Sequence, residues 1–199
     1  MKINKDKLAR IISTLFVPPA FAIITFTIFA LLLETDSQKQ FVVILVAFIS
    51  GFVAPIALFL VFRKSGKLTD QDALIKEERT VPFFIATIFF AIGLVILINF
   101  QVNIISIAFW FCYISNTLLT ILINRYENIS AHTMGAAGPM AAFTFVLGPF
   151  ALFIMMLVII VGWARIRLGC HTFIQVVLGF FTAFISTYLQ IYIIVKLFS

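Results

Sequence analysis

The sequence predicts an all-α fold, a polytopic transmembrane bundle of six to seven membrane helices, on three observations. The 199 residues are 63% hydrophobic and only 11% charged, with a mean hydropathy of +1.17; a soluble domain is about half apolar and one quarter charged. The apolar residues gather into seven segments, about 11–33, 40–62, 83–100, 104–123, 134–147, 149–163 and 173–195. The first two and the last reach the ~20 residues a spanning helix needs, and the fifth and sixth must borrow from their flanks. The basic residues are distributed unevenly between the loops that these segments create. No repeat and no low-complexity linker divides the chain, so residues 1–199 read as one transmembrane domain.

In chain order, the first apolar run is longer than a secretory leader core and lacks a small-residue cleavage site, so it is expected to stay as a helix. Pro18-Pro19 and Pro55 are expected kinks. The loop at 63–82 is read as interfacial. Arg63-Lys64-Ser65-Gly66-Lys67 is a basic run suited to anionic headgroups. Thr69-Asp70-Gln71-Asp72 reads as the cap of a short interfacial helix ending before Pro82. Lys76 and Arg79 share one face of that helix, where they serve either topology and lipid contact or a phosphate. Asp70 and Asp72 could hold magnesium, but no second acidic cluster follows and no metal is expected. Cys112 lies in an apolar segment and Cys170 beside His171; neither suggests a disulfide framework, and Cys170 reads as packing rather than as a nucleophile. Gly135-Ala136-Ala137-Gly138 is a small-residue run that lets helices approach closely.

Twelve basic residues fall on the side formed by the N-terminus, 63–82, 124–133 and 164–172. Only Lys39 and Lys196 fall on the other. The positive-inside rule therefore assigns the first side to the cytoplasm.

The stretch 130–175 holds both histidines of the chain, His132 and His171, with Arg165 and Arg167. Ionisable residues beside a bilayer mark a functional site by default. The apolar run between them either crosses once as a long kinked helix or twice as a hairpin. Only the hairpin, turning at Gly148-Pro149, brings the histidines to one face.

These residues resemble the type 2 phosphatidic acid phosphatase superfamily of membrane lipid phosphatases. Its Pro-Ser-Gly-His motif appears as Ile129-Ser130-Ala131-His132, and its Ser-Arg-x5-His-x3-Asp motif as Ala164-Arg165-x5-His171-x3-Gln175. The serine, the arginine and both histidines match; Ile129, Ala131, Ala164 and Gln175 depart. Lys76-Glu77-Glu78-Arg79-Thr80-Val81-Pro82 is a loose echo of the third motif, Lys-x6-Arg-Pro. The resemblance covers the last third of the chain. It implies a metal-independent, cofactor-free hydrolase with its site motifs in 124–175. His171 would be the nucleophile that forms a phosphohistidine, and His132 the acid that protonates the leaving alkoxide. Arg165 would be the phosphate clamp and Ser130 a hydrogen-bond donor, with Lys76 and Arg79 as further phosphate contacts. Members of the family mostly carry the site on the outer face, opposite to the charge rule.

Imidazole suits both histidine roles because its pKa lies near neutrality, and a guanidinium can hold two phosphate oxygens where a lysine cannot. Gln175, at i+4 from His171, can accept the imidazole N–H but supplies no charge. Either turnover is slower, or Glu127, Glu77 or Glu78 stands in, or activity is lost. The expected substrate is a lipid phosphate in the cell membrane: a polyprenyl (di)phosphate, phosphatidate or a phosphatidylglycerol phosphate. The alternatives are a phosphotransferase using the same intermediate and a non-catalytic binder of phosphorylated lipid. Nucleic acid is not an expected partner.

Overall fold

The structure is a computed structural model that describes residues 4–69, 72 and 75–198. It is helical with no strand among the described residues. The helices are α1 (Lys5–Leu15), α2 (Pro18–Leu33), α3 (Ser37–Val46), α4 (Ala54–Lys64), α5 (Lys76–Asn99), α6 (Ile104–Ile123), α7 (Ala131–Leu147), α8 (Met155–Arg167) and α9 (Phe173–Phe198). Among the described residues five helical stretches are long and apolar enough to cross a membrane, six when α1 and α2 count as one bent span.

Helix α1 starts at Asn4, whose side chain accepts the Asp6 and Lys7 N–H groups, a standard N-cap. It buries Ala9 and Ser13 and exposes Lys5 and Lys7. The chain bends by 53° into α2, where Pro18 occupies the first helical position and needs no N–H partner. Pro55 acts differently from a simple kink. A helical proline strips the bond to the carbonyl four residues back, and the turn before it widens into a π segment, Ala47–Val53, joining α3 to α4.

The middle of the bundle is an aromatic core. Phe26 stacks on Phe109 and meets Trp110 edge-on, and Phe29 packs against Phe109 and Phe143. The buried Trp110 indole donates to the Phe90 carbonyl at 2.7 Å, so its polar atom is satisfied inside the apolar layer. At one end of the bundle, the Glu34 carboxylate accepts the Asn103 N–H at 2.5 Å and Lys39 donates to the Gln101 carbonyl at 2.6 Å. These contacts tie the α2–α3 and α5–α6 turns together.

The expected hairpin is present. In a straight helix, positions 132 and 165 would lie about 50 Å apart at 1.5 Å per residue. Here both residues reach Ser13: His132 Nε2 stands 3.2 Å from its carbonyl, and Arg165 Nη1 donates to its hydroxyl at 2.7 Å. The reversal occurs at Gly148, whose φ of +69° suits glycine, followed by a 3₁₀ segment, Gly148–Ile154. Ala136 and Met140 of α7 then pack on Val158 and Val161 of α8. The small residues of α7 also bring α2 close, since a Cβ on Gly135 would stand 2.9 Å from the Pro18 Cα.

One expectation needs correction. Among the described residues no separate interfacial helix ends before Pro82. Lys76–Arg79 forms the first turn of α5, which runs through Pro82 to Asn99. The proline falls near the start of a long helix, so it costs only the bond to the Glu78 carbonyl. The Thr69 N–H and hydroxyl both donate to the Glu78 carboxylate, at 2.9 and 3.0 Å, while part of the expected cap falls on residues not described. Asp70, Gln71, Ala73 and Leu74 lie outside the described residues.

Candidate functional site

A cavity of about 640 Å³ opens at the end of the bundle opposite the Glu34–Asn103 tie. Its mouth is ionic: Arg10 and Ser13 of α1, Arg63 of α4, Asp72, Arg79 of α5, His132 of α7, Arg165 of α8, and His171. Its body is apolar and aromatic, with Phe83, Phe90, Phe109 and Tyr113, broken by Asn116, Thr120 and Thr187. Of the residues singled out from sequence, His132, His171, Arg165 and Arg79 line this one space, while Ser130, Gln175 and Lys76 do not.

The Arg165-to-Gln175 spacing follows from a turn and a cap. Helix α8 ends with the Cys170 N–H on the Arg165 carbonyl and the Gly169 N–H on the Ile166 carbonyl, both at 3.0 Å. Gly169 sits at φ +69°. This is a Schellman ending, and it delivers His171 immediately after the turn whose first carbonyl belongs to Arg165. Thr172 then caps α9. Its hydroxyl accepts the Gln175 N–H at 3.3 Å while the Gln175 side-chain oxygen accepts the Thr172 N–H at 3.1 Å. Thr172-x-x-Gln175 is thus a capping box.

Arg165 is 1% exposed. Its Nη1 donates to Ser13 Oγ and to Asp72 Oδ1, each at 2.7 Å, and its Nε has no hydrogen-bond partner among the described residues. Asp72 also accepts from Arg10 Nη1 at 2.7 Å. Burial alone would raise the Asp72 carboxyl, but hydrogen bonds and charge from Arg10 and Arg165 outweigh it and hold the group below its ordinary 3.8. Asp72 is the only acid lining the mouth among the described residues, against four arginines, so the site carries excess positive charge and suits an anion of more than one charge.

His171 is 7% exposed. Its Nδ1 lies 3.2 Å from the Asn128 carbonyl oxygen and 3.3 Å from Gln175 Oε1. Both are acceptors, so the ring carries its proton on Nδ1 and keeps the Nε2 lone pair for the cavity. Burial, then the Arg165 and Arg79 charges, push the imidazole down to about 4, against the opposing pull of its bonds to Gln175 and Asn128. At neutral pH the ring is uncharged. His132 is arranged the other way round. Its Nε2 faces the Ser13 carbonyl, one of the free carbonyls at the end of α1, which leaves Nδ1 for a ligand.

Arg79 is 6% exposed, bonds to the Asn128 side-chain oxygen and stacks over Phe83. Lys76 points away, donating to the Arg125 carbonyl at 3.2 Å. Ser130 is fully buried as the N-cap of α7, accepting the Thr133 N–H and hydroxyl. It is Ser13 that brings a serine hydroxyl to the cavity wall. Arg167 pairs with Asp6 at 2.7 Å, and Cys170 is buried and unpaired with Cys112.

No known protein family, curated protein or solved structure matches this chain.

Sequence reasoning missed Arg10, Ser13 and the anchoring role of Asp72. Arg10 and Ser13 are one helical turn apart on an amphipathic segment, and that i, i+3 pairing was the available signal. Nothing in the sequence links Asp72 to Arg165. No group of three His, Cys, Asp or Glu that could hold a metal ion is present among the described residues, and Asp70 lies outside them.

Proposed function

We propose that this chain is a membrane-embedded lipid-phosphate phosphatase, a divergent member of the type 2 phosphatidic acid phosphatase superfamily, acting in the cell membrane through phospho-His171. The observation that carries the reading is the juxtaposition of a neutral His171 with Nε2 available, a buried Arg165 with Nε unpartnered, and an apolar chamber directly beneath them. The headgroup phosphate binds Arg165 and Arg79 at the mouth, displacing the Asp72 carboxylate from the guanidinium edge. The lipid chain lies against the aromatic wall. His171 Nε2 attacks phosphorus in line with the leaving alkoxide. The P–N bond forms as the P–O bond breaks, and the alkoxide is protonated through His132, whose Nδ1 lone pair first takes up the proton carried in by a monoanionic phosphate and then hands it to the leaving oxygen. Water then attacks the phosphohistidine, passing its proton to the neutral His132 as the P–N bond breaks. The guanidinium groups stabilise the charge that builds on the equatorial oxygens. The scheme uses no metal.

The fitting substrates are a polyprenyl (di)phosphate, phosphatidate or a phosphatidylglycerol phosphate. A second reading, binding of phosphorylated lipid without turnover, draws on two observations: Asp72 already neutralises Arg165, and Gln175 is committed to a capping box.

Phosphate release by detergent-solubilised protein across these lipids separates the readings. The expected result is release that persists in EDTA, stops with vanadate, and disappears in His171→Ala together with any trapped phosphoenzyme. Arg165→Lys should lose about a hundredfold or more, because the forked contact goes although the charge stays. Transfer to another acceptor without release identifies a phosphotransferase, and lipid binding with neither identifies the binder. A wild-type rate that survives His171→Ala rejects the mechanism.

A further inference from the structure

We infer that Glu127 is a positioning residue for His171, acting through the side-chain amide of Gln175. Glu127 Oε1 accepts from Gln175 Nε2 at 2.7 Å, and the same oxygen accepts the Asn128 N–H at 3.1 Å. An ionised carboxylate only accepts, so it fixes which way the Gln175 amide faces. The NH2 group points to Glu127 and Oε1 points to His171 Nδ1 and the Thr172 N–H, at 3.3 and 3.1 Å. The Thr172 N–H asks for the same orientation, and Glu127 closes off the flipped one, which would set Gln175 Oε1 against the carboxylate. With its NH2 end inward Gln175 would favour the opposite tautomer, with the proton on Nε2 and no lone pair facing the cavity.

The amide also relays charge. A carboxylate bonded to its NH2 group polarises the carbonyl oxygen, and that oxygen rests on the ring that becomes cationic as phosphohistidine forms. The charged and titratable groups that face this ring from the surrounding elements are Arg79 of α5, Arg165 of α8, and Asp72 and His132 across the cavity. The cationic ones oppose a positive ring. Glu127 is the acid that Gln175 couples to it. The effect on rate rests on the phosphatase reading; the effect on the ring does not.

A double-mutant cycle in the full-length, detergent-solubilised protein tests the relay. Glu127→Gln alone should lower kcat by about ten- to a hundredfold with KM little changed, the range seen when the outer partner of a working histidine is removed. Gln175→Glu alone keeps the capping box but sets two carboxylates against each other, and should also lower kcat. Combined, the two substitutions move the single carboxylate inward onto His171 and should restore activity toward wild type. A residue that merely holds the 124–130 segment in place gives additive losses, and additivity overturns the inference. A second readout needs no turnover. The chain has two histidines, so ¹⁵N spectra of wild type and His132→Ala assign the His171 ring directly. Its titration should move to lower pH in Glu127→Gln and to higher pH in the double variant. An unchanged His171 titration across the cycle overturns the relay even if phosphate release proceeds normally. Absence of phosphate release with the expected titration shifts rejects the phosphatase reading and leaves the relay standing.

Discussion

A histidine attacks phosphorus only while one ring nitrogen holds a lone pair, and two features keep His171 in that state. The Asn128 and Gln175 oxygens claim Nδ1–H, and burial with Arg165 and Arg79 holds the ring neutral to about pH 4. The same features set the sign of a pH effect on stability. An unfolded histidine takes up a proton near 6.5, whereas the folded ring resists until about 4. Between these values the unfolded chain binds more protons, so acid favours unfolding. The contribution of His171 is complete above pH 6.5 and is lost as pH falls toward 4. Asp72 acts in a lower window: its folded carboxyl titrates below 3.8, so its pairing with Arg10 and Arg165 holds above that value and fails beneath it. Melting temperature in detergent should be level above pH 6.5, decline through 6.5 to 4, and decline again below 3.8. His171→Asn should shrink the first step by the share His171 carries, and Asp72→Asn should remove the second. A first step of undiminished size in His171→Asn would assign it wholly to another group.

At the scale of helices, two glycines set how closely neighbouring elements meet. A Cβ on Gly179 of α9 would stand 2.9 Å from the Ser130 carbonyl oxygen, on the backbone turn that starts α7 and orients His132. A Cβ on Gly93 of α5 would fall 2.5 Å from the Trp110 ring, in the aromatic core far from the mouth. Gly179→Ala and Gly93→Ala should each destabilise by about 1–3 kcal/mol through overpacking. Only Gly179→Ala should also impair the site, because Ser130 N–H bonds the Gln175 carbonyl at 3.3 Å across the same contact. Denaturation in mixed micelles beside vanadate binding distinguishes the two, and equal loss of vanadate binding in both would refute the distinction. The closeness of α7 to its neighbours was legible in Gly135-Ala136-Ala137-Gly138, and the reversal in Gly148-Pro149, because small residues and a positive-φ glycine have local physical signatures. The start of α5 was not legible. Pro82 reads as a terminator in sequence, but near the N-terminus of a helix with a long apolar continuation it costs a single bond, which packing offsets. The 165–175 spacing suggested chemistry, yet Leu168-Gly169 and Thr172-x-x-Gln175 also spell an αL turn and a capping box. The same residues carry both meanings, and a motif search alone hides the structural one. Ser130 shows the reverse: a motif serine whose position immediately before α7 already marked it as a helix cap.

Across the whole molecule, the two ends of the bundle are built differently, and the difference fixes how the chain must thread. One end is closed by backbone-directed contacts from Glu34 and Lys39. The other gathers Arg10, Arg63, Asp72, Arg79, His132, Arg165 and His171 around one opening. These residues come from five helices and two loops, so each contributing segment must return to that end. The α7–α8 hairpin is the decisive piece: both of its termini meet Ser13, while Gly148 turns at the far end. Among the described residues the basic ones follow the same division, with eleven on the cavity side and two on the other, an asymmetry that the positive-inside rule reads as a cytoplasmic opening. Single cysteines at Asn128, Thr172 and Gln101, placed in a background lacking Cys112 and Cys170, test the arrangement in oriented membrane vesicles. Asn128→Cys and Thr172→Cys should react with a membrane-impermeant maleimide from the same face, and Gln101→Cys from the opposite one. Labelling of Asn128→Cys and Thr172→Cys from opposite faces would put His132 and His171 on different sides of the bilayer and dissolve the shared site. Labelling of both from the outer face alone would keep the site intact and reverse the charge assignment, since the arginines counted as topological signals would then be there for the anion they bind.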